Sequence, residues 1–81
     1  MANVRMYTLS TCPWCFKTKK FFSERDIPFT FVDYDTAEEN VQERIIREVD
    51  AAGATGFPYV NIDGEIIVGY KPQQYLSALG I

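Results

Sequence analysis

The spacing of hydrophobic and polar positions divides the first half of the chain into a strand, a helix and a second strand. Residues 4–9 alternate in part and are rich in β-forming side chains, which predicts the first strand. From Pro13 to about Arg25, apolar residues recur every three or four positions, which predicts a helix with one face packed on a sheet. Residues 26–28 end this helix, and residues 29–34 predict the second strand. This order indicates a parallel pair of strands with a right-handed crossover.

The helical spacing returns in the middle of the chain. Thr36-Ala37-Glu38-Glu39 has the form of a capping box, so a second helix is expected to begin at Thr36. Apolar residues follow at positions 41, 45, 49 and 52, and Gly53 is the expected C-cap. This helix is predicted to be scaffold.

The last third of the chain predicts a hairpin followed by a short helix. Residues 57–62 and 65–68 read as strands around Asp63-Gly64, a two-residue turn suited to positive φ angles. Pro72 then opens the last helix, and Gly80 lies past its end. The element order is therefore βαβαββα, an α/β fold.

Composition and charge limit the function. The chain has 81 residues, of which 47% are hydrophobic, so it is expected to form one domain with one core. Its net charge of −3 argues against general nucleic-acid binding, which requires a basic face. Lys17, Lys19 and Lys20 form the one basic cluster, either a solvated helix face or a positive field that aids a thiolate or an acidic partner.

The sequence shows no signal for export or membrane insertion. Its first residues lack the basic, apolar and small-residue regions of a signal peptide. No apolar run approaches the roughly 20 residues that a membrane span requires. A cytoplasmic location is expected, where a stable structural disulfide is disfavoured.

The motif Cys12-Pro13-Trp14-Cys15, preceded by Thr11, falls where the first strand gives way to the first helix. At that position backbone N–H groups and the helix macrodipole favour the thiolate form of Cys12. Pro13 suits the first helical turn. Cys15 is expected on the same side of the helix, near enough to resolve a mixed disulfide formed at Cys12. Thr11 and Pro13 are therefore predicted to support the site.

Other uses of the two cysteines are less favourable. The chain has no histidine, which excludes a Cys-His nucleophilic pair and a Cys/His zinc finger. Two thiolates are half of a structural zinc site, so metal binding would need a second chain or an external ligand. A disulfide over so short a loop would gain only about 2 kcal/mol from loop closure. Thiol-disulfide exchange is the favoured chemistry, and no metal ligand is assigned.

The element order, the Cys-Pro-Trp-Cys motif and the proline that opens the third strand resemble the thioredoxin superfamily, and most closely its glutaredoxins. The resemblance implies a thioredoxin-like fold, with a four-stranded mixed sheet and three helices, in a single domain over residues 1–81. It implies a small dithiol-disulfide oxidoreductase that reduces protein or mixed disulfides, with Cys12 as nucleophile and Cys15 as resolving cysteine. A monomer without a tightly bound cofactor is expected.

The same resemblance assigns the substrate-binding residues. It implies that Pro58 follows a cis peptide bond and lies against the cysteine pair, where the backbone of Phe57 pairs with an extended substrate. Trp14 and Tyr70 are candidate apolar walls around the bound partner, or else rim packing. Lys71 joins this set as a candidate cation for glutathione.

The sequence departs from the glutathione-using members of the family. Leu9 stands where they carry a cation, and Gly56 stands where they place threonine. Residues 69–73 lack their acidic residue and resemble the redoxins that serve ribonucleotide reductase and draw electrons from thioredoxin reductase. Lys71 could replace the missing cation, so glutathione and thioredoxin reductase both stay open as electron donor. A third hypothesis is a dimer in which Cys12 from two chains and two external thiols hold an iron-sulfur cluster.

Overall fold

The structure is a computed structural model that describes residues 3–80. In chain order the elements are β1 (Val4–Thr8), α1 (Pro13–Glu24), β2 (Phe29–Asp33), a 3₁₀ turn (Tyr34–Thr36), α2 (Glu39–Ala51), β3 (Tyr59–Ile62), β4 (Glu65–Val68) and α3 (Pro72–Leu79). The predicted order of three helices and four strands is confirmed. Within the described residues, no helix combines the length and the apolar character needed to cross a membrane.

The four strands form one mixed sheet in the order β2-β1-β3-β4. β1 and β2 are parallel, whereas β1 with β3 and β3 with β4 are antiparallel. Asp63 and Gly64 connect the last two strands with φ angles of 52° and 93°. Positive φ at both positions is the geometry that a tight hairpin requires, so the predicted turn is confirmed.

The main core lies between the sheet and the pair of helices α1 and α3. Alternate residues of β1 and β3 point to this side, as the two-residue period of a strand requires. The buried cluster consists of Val4, Met6, Phe21, Phe22, Val60, Ile62, Ile67 and Tyr75. The apolar face of the first helix, predicted from its spacing, therefore supplies the two adjacent phenylalanines of this core.

The opposite face of the sheet meets α2. Ile45 is buried there, and the rings of Tyr7 and Tyr59 stack with centroids 5.5 Å apart. The Tyr7 hydroxyl donates a hydrogen bond of 2.8 Å to the Glu48 carboxylate. Burial, together with that carboxylate, raises the pKa of Tyr7, so the phenol stays protonated and remains a donor. α2 is thus attached to the sheet by a polar contact as well as by Ile45.

The capping box predicted at Thr36 is wrong. Thr36 ends the 3₁₀ turn, and its hydroxyl donates to the Asp33 carbonyl at 3.3 Å. Helix α2 begins at Glu39, with Glu38 as an N-cap that makes no side-chain capping bond. Because the helix begins at Glu39 and not at Ala37, Thr36 does not occupy its N-cap position.

Three strands are shorter than the sequence predicts. β1 ends at Thr8, β2 ends at Asp33, and β3 begins at Tyr59 instead of Phe57. Pro58 has no N–H to donate to a neighbouring strand, which explains the late start of β3. Gly53 has a φ of 72° directly after the C-cap Ala52, so the expected left-handed end of α2 is present.

Replacing Phe22 should test the position of the core. We expect Phe22→Ala to lower the free energy of unfolding by about 3–5 kcal/mol, because its ring is fully buried among core side chains. Phe16 lies on the same helix but is 53% exposed, and Phe16→Ala should change that free energy by about 0.5 kcal/mol or less. Urea denaturation measures both values, and equal losses would contradict this placement of the core.

Candidate active site

The two cysteines lie where β1 passes into α1. A hydrogen bond of 3.2 Å from the Cys12 N–H to the Leu9 carbonyl closes the turn between these elements. Cys12 has an extended backbone and is the N-cap of α1, and Pro13 occupies the first helical position. Both placements confirm the positions expected from the sequence. A proline is tolerated at the first helical position because it forfeits no intrahelical hydrogen bond there.

The sulfur of Cys12 acts as the capping group of the helix. The Cys15 N–H points at Cys12 Sγ, with a nitrogen–sulfur distance of 3.2 Å. An N-cap oxygen makes the same contact in most helices, and it satisfies one of the free N–H groups of the first turn. The positive end of the macrodipole lies at this point too.

The two thiols have different surroundings. Both are free, but Cys12 is partly exposed and Cys15 is fully buried. Burial, followed by the contact with Cys12, raises the pKa of Cys15 to about 12. Cys15 therefore keeps its proton at neutral pH, and only Cys12 is open to a disulfide from outside.

Trp14 and Tyr70 form a wall beside the cysteines. Trp14 is 55% exposed, as expected from the sequence, and its ring stacks on that of Tyr70 with centroids 6.0 Å apart. These two rings, Phe57 and Gly69 line a groove of about 270 Å³. The structure thus brings together three of the predicted substrate-binding residues.

Two buried hydroxyls lie behind this wall. The Thr18 hydroxyl donates to the Trp14 carbonyl at 2.9 Å, and the Tyr75 hydroxyl donates to the Gly69 carbonyl. The two hydroxyl oxygens are 3.3 Å apart. Burial raises the pKa of Tyr75, so its hydroxyl keeps the proton that it donates. Neither Thr18 nor Tyr75 is among the predicted site residues. The signal for each is a hydroxyl at a position where helical spacing favours an apolar side chain.

The peptide bond between Phe57 and Pro58 is cis, which confirms the expectation from the resemblance. Pro58 is buried, and its carbonyl accepts a hydrogen bond of 2.8 Å from the Gly69 N–H. The Phe57 ring packs against Tyr34 with centroids 5.7 Å apart. Phe57 takes part in none of the backbone hydrogen bonds found outside the helices and strands of residues 3–80.

The loop before Cys12 is held by a carboxylate that the sequence analysis does not identify. Ser10 donates to Asp35 from its N–H at 2.9 Å and from its hydroxyl at 2.5 Å. These bonds lower the pKa of Asp35, so it stays charged at neutral pH. Thr11, predicted to support the site, is exposed in the turn between Ser10 and Cys12.

The basic cluster predicted on α1 is divided in the structure. Lys19 lies 3.3 Å from Asp33 and 3.8 Å from the centre of the Phe31 ring. Lys17 lies on another side, with its ammonium group 4.5 Å from the centre of the Trp14 ring. Lys71 is exposed, one residue beyond Tyr70, at the N-cap position of α3.

A metal site finds no support in the part of the chain that the structure describes. No group of three or more cysteine, aspartate or glutamate side chains is placed to hold an ion there. The active site itself consists of two free thiols beside an aromatic groove.

Comparison with known proteins agrees with this geometry. The glutaredoxin family model matches residues 4–67. Glutaredoxin 3 of Escherichia coli (strain K12) is 34% identical over 80 residues, which cover 99% of this chain and 92% of that protein. A glutaredoxin-like 8.6 kDa protein in the rubredoxin operon of Clostridium pasteurianum is 37% identical over 68 residues, 84% of this chain and 85% of that protein. The crystal structure of the glutaredoxin from Methanosarcina mazei Go1 has a TM-score of 0.88 at 37% identity, covering 98% of this chain and 79% of that one.

These similarities extend over the parts of the chain that build the site. The matched range contains Cys12, Cys15 and Pro58, and it includes all four strands except the last residue of β4. The similar structure covers the helices as well as the sheet. The chain therefore belongs to the glutaredoxin family and has the thioredoxin-like fold.

Proposed function

We propose that this protein is a dithiol-disulfide oxidoreductase that reduces protein disulfides or mixed disulfides through Cys12 and Cys15. The observation that carries the proposal is the hydrogen bond of 3.2 Å from the Cys15 N–H to Cys12 Sγ. It places an accessible sulfur, capping the positive end of a helix, one turn from a buried thiol. Membership of the glutaredoxin family supports the same activity.

Cys12 acts first. Its thiolate attacks one sulfur of the substrate disulfide, forms a mixed disulfide and releases the other substrate sulfur as a thiolate. Stabilisation of an attacking thiolate contributes little to attack, because a less basic thiolate is also a weaker nucleophile. Its larger effect is on the second step, where Cys12 is the leaving group.

Cys15 completes the reaction. Its thiol loses a proton and attacks Cys12 Sγ, which forms the Cys12–Cys15 disulfide and releases the second substrate thiol. Two electrons pass from the protein to the substrate, and a dithiol or thiol donor must return them. Because Cys15 is fully buried, it reacts with Cys12 and not directly with an external disulfide.

The groove beside the cysteines is the proposed substrate-binding site. Trp14 and Tyr70 supply its apolar wall, and the backbone of Phe57 is proposed to pair with the extended substrate chain next to the cis bond at Pro58. The absence of Phe57 from the backbone bonds described above supports this role. Apolar contact and main-chain pairing would bind many sequences around a disulfide.

The geometry supports exchange over the iron-sulfur hypothesis. A cluster would take Cys12 from each of two chains and two external thiols, and Cys15 would then have no role. The contact between Cys15 and Cys12 is instead the one that a resolving step requires. We therefore propose a monomer that functions without a bound metal.

Serine variants of the two cysteines separate the two steps. Cys12→Ser should abolish reduction of a protein disulfide such as that of insulin, because no nucleophile remains. Cys15→Ser should accumulate a stable mixed disulfide at Cys12, visible by mass spectrometry, and keep any reaction with a glutathionylated substrate. Activity retained by Cys12→Ser, or a mixed disulfide at Cys15, would overturn the assignment.

The rate of the resolving step should depend on pH. With its pKa raised to about 12, Cys15 is almost entirely a thiol at pH 7. In the mixed disulfide Cys12 carries no thiol, and burial is the cause that still raises the pKa of Cys15. The first-order rate of mixed-disulfide decay should therefore keep rising with pH between pH 6 and pH 9. Quenched-flow mass spectrometry follows this decay, and a plateau below pH 9 would contradict the strong burial of the thiol.

Groups missing around the groove bear on the choice of electron donor. Leu9 supplies no cation, and residues 69–73 carry no carboxylate near the start of α3. Each lost charged contact would weaken glutathione binding by about 1.5–3 kcal/mol. We propose thioredoxin reductase as the preferred donor and ribonucleotide reductase as one candidate recipient, with Lys71 as a nearby cation that could still bind glutathione.

Parallel assays decide between the donors. We expect NADPH with thioredoxin reductase to reduce the oxidised protein faster than glutathione with glutathione reductase. Reduction is followed by the loss of NADPH absorbance at equal protein concentration. Lys71→Ala should slow only the glutathione reaction. Faster turnover with glutathione would assign the protein to the glutathione-using class.

A further inference from the structure

The charges of this acidic chain are unevenly distributed. Five of its eight lysine and arginine residues lie on α1, at its C-cap or directly before α3. Seven of its eleven acidic residues lie between Asp33 and Asp50, mostly on α2 and the turn before it. α1 and α2 cover opposite faces of the sheet. The side that carries α1 is therefore the more basic and the side that carries α2 the more acidic, despite a net charge of −3, and Lys19 and Asp33 pair at 3.3 Å where the two sides meet.

A groove runs along the basic side. Its volume is about 520 Å³, and it lies between α1 and the segment that leads into α3. It is lined by Lys17, Lys20, Phe21, Glu24, Arg25, Tyr70 and Pro72. Three cations and one carboxylate thus surround a floor that contains two aromatic rings. We call this feature the basic groove.

The basic groove is continuous with the proposed substrate-binding site. Tyr70 lines both, and Lys17 contacts the Trp14 ring at the boundary between them. From Trp14 to Arg25, α1 extends about 16 Å. That length would hold about five residues of an extended peptide. A substrate chain that leaves the cysteines along α1 would therefore pass all three cations.

The charges of the groove are available to a partner. Lys20 pairs with Glu24 at 3.6 Å, but both side chains are largely exposed, so this pair is weak. Arg25 stacks on Phe21, with its guanidinium carbon 3.9 Å from the ring centre, and makes one long bond to the Phe21 carbonyl. Stacking orients the guanidinium and leaves most of its donors unused. Lys19, in contrast, is committed to Asp33 in a less exposed pair.

We propose that the basic groove docks an acidic segment of the protein substrate, adjacent to the disulfide that Cys12 attacks. The proposal rests on the proposed thiol-disulfide exchange. Positive charge beside the cysteines would attract such a segment, and the acidic side of the molecule would repel it from unproductive orientations. Charges at the rim of an interface act mainly on the association rate and its salt dependence.

Three peptide disulfides with the same cystine core test the docking. Their flanking residues are glutamates, serines or lysines, and each is mixed with the pre-reduced protein. Each reaction forms one Cys12–Cys15 disulfide and two peptide thiols, so quenched-flow mass spectrometry gives its second-order rate constant without any external donor. At low salt we expect the acidic peptide to react about tenfold faster than the basic one, and the ratio to fall as salt is added.

Charge-reversed variants locate the effect. Lys20→Glu with Arg25→Glu should bring the acidic-to-basic ratio close to one, and the neutral pair Lys20→Gln with Arg25→Gln should give an intermediate ratio. Arg44→Glu with Arg47→Glu makes the same change of net charge on α2 and should preserve the ratio, because these arginines lie outside the groove.

The measured rates distinguish a failure of the docking proposal from a failure of the proposed exchange activity. A ratio near one in the unaltered protein would overturn the docking proposal, as would an equal loss of the ratio in the α2 variant. If the unaltered protein failed to react with all three peptides, the serine-flanked one included, the proposed exchange activity would fail instead.

Discussion

The hydrogen bond from the Cys15 N–H to the Cys12 sulfur is the constraint on which the active site depends. An N-cap side chain accepts from the second or third residue of its helix, and Cys15 is the third. The spacing of two residues between the cysteines therefore has two effects. It lets Cys12 cap α1, and it makes the residue that donates the capping bond the same residue that can resolve a mixed disulfide. Helix stability and redox chemistry share one contact.

The remainder of the fold fixes the surroundings of that contact. Ser10 is tied to Asp35, which holds the loop before the cysteines against the turn that follows β2. Tyr75 holds the Gly69 carbonyl, and the Gly69 N–H in turn binds the carbonyl of Pro58. Elements far apart in sequence are thereby joined at one end of the sheet. The groove beside the cysteines is shaped by these bonds, and the exposed Trp14 completes it.

The sequence predicted the element order, the helix start at the cysteines and the hairpin turn, because each depends on local spacing and backbone preference. The cis bond at Pro58 followed from resemblance alone, since only about 5–6% of X-Pro bonds in folded proteins are cis. The capping box predicted at Thr36 was wrong, because Thr36 ends a 3₁₀ turn, its hydroxyl donates within that turn, and α2 begins only at Glu39. The hydrogen bonds made by the Thr18 and Tyr75 hydroxyls could not be predicted. The two residues are far apart in the sequence, and their contact depends on how α1 and α3 pack on the sheet.

The central claim is that two thiols one helical turn apart are made unequal: Cys12 is accessible and caps the helix, whereas Cys15 is buried and protonated. Alkylation of the fully reduced protein with iodoacetamide at pH 7, followed by peptide mapping over time, measures this inequality most directly. The structure predicts that Cys12 is modified at least about tenfold faster than Cys15. Equal rates for the two cysteines, or faster modification of Cys15, would contradict the account.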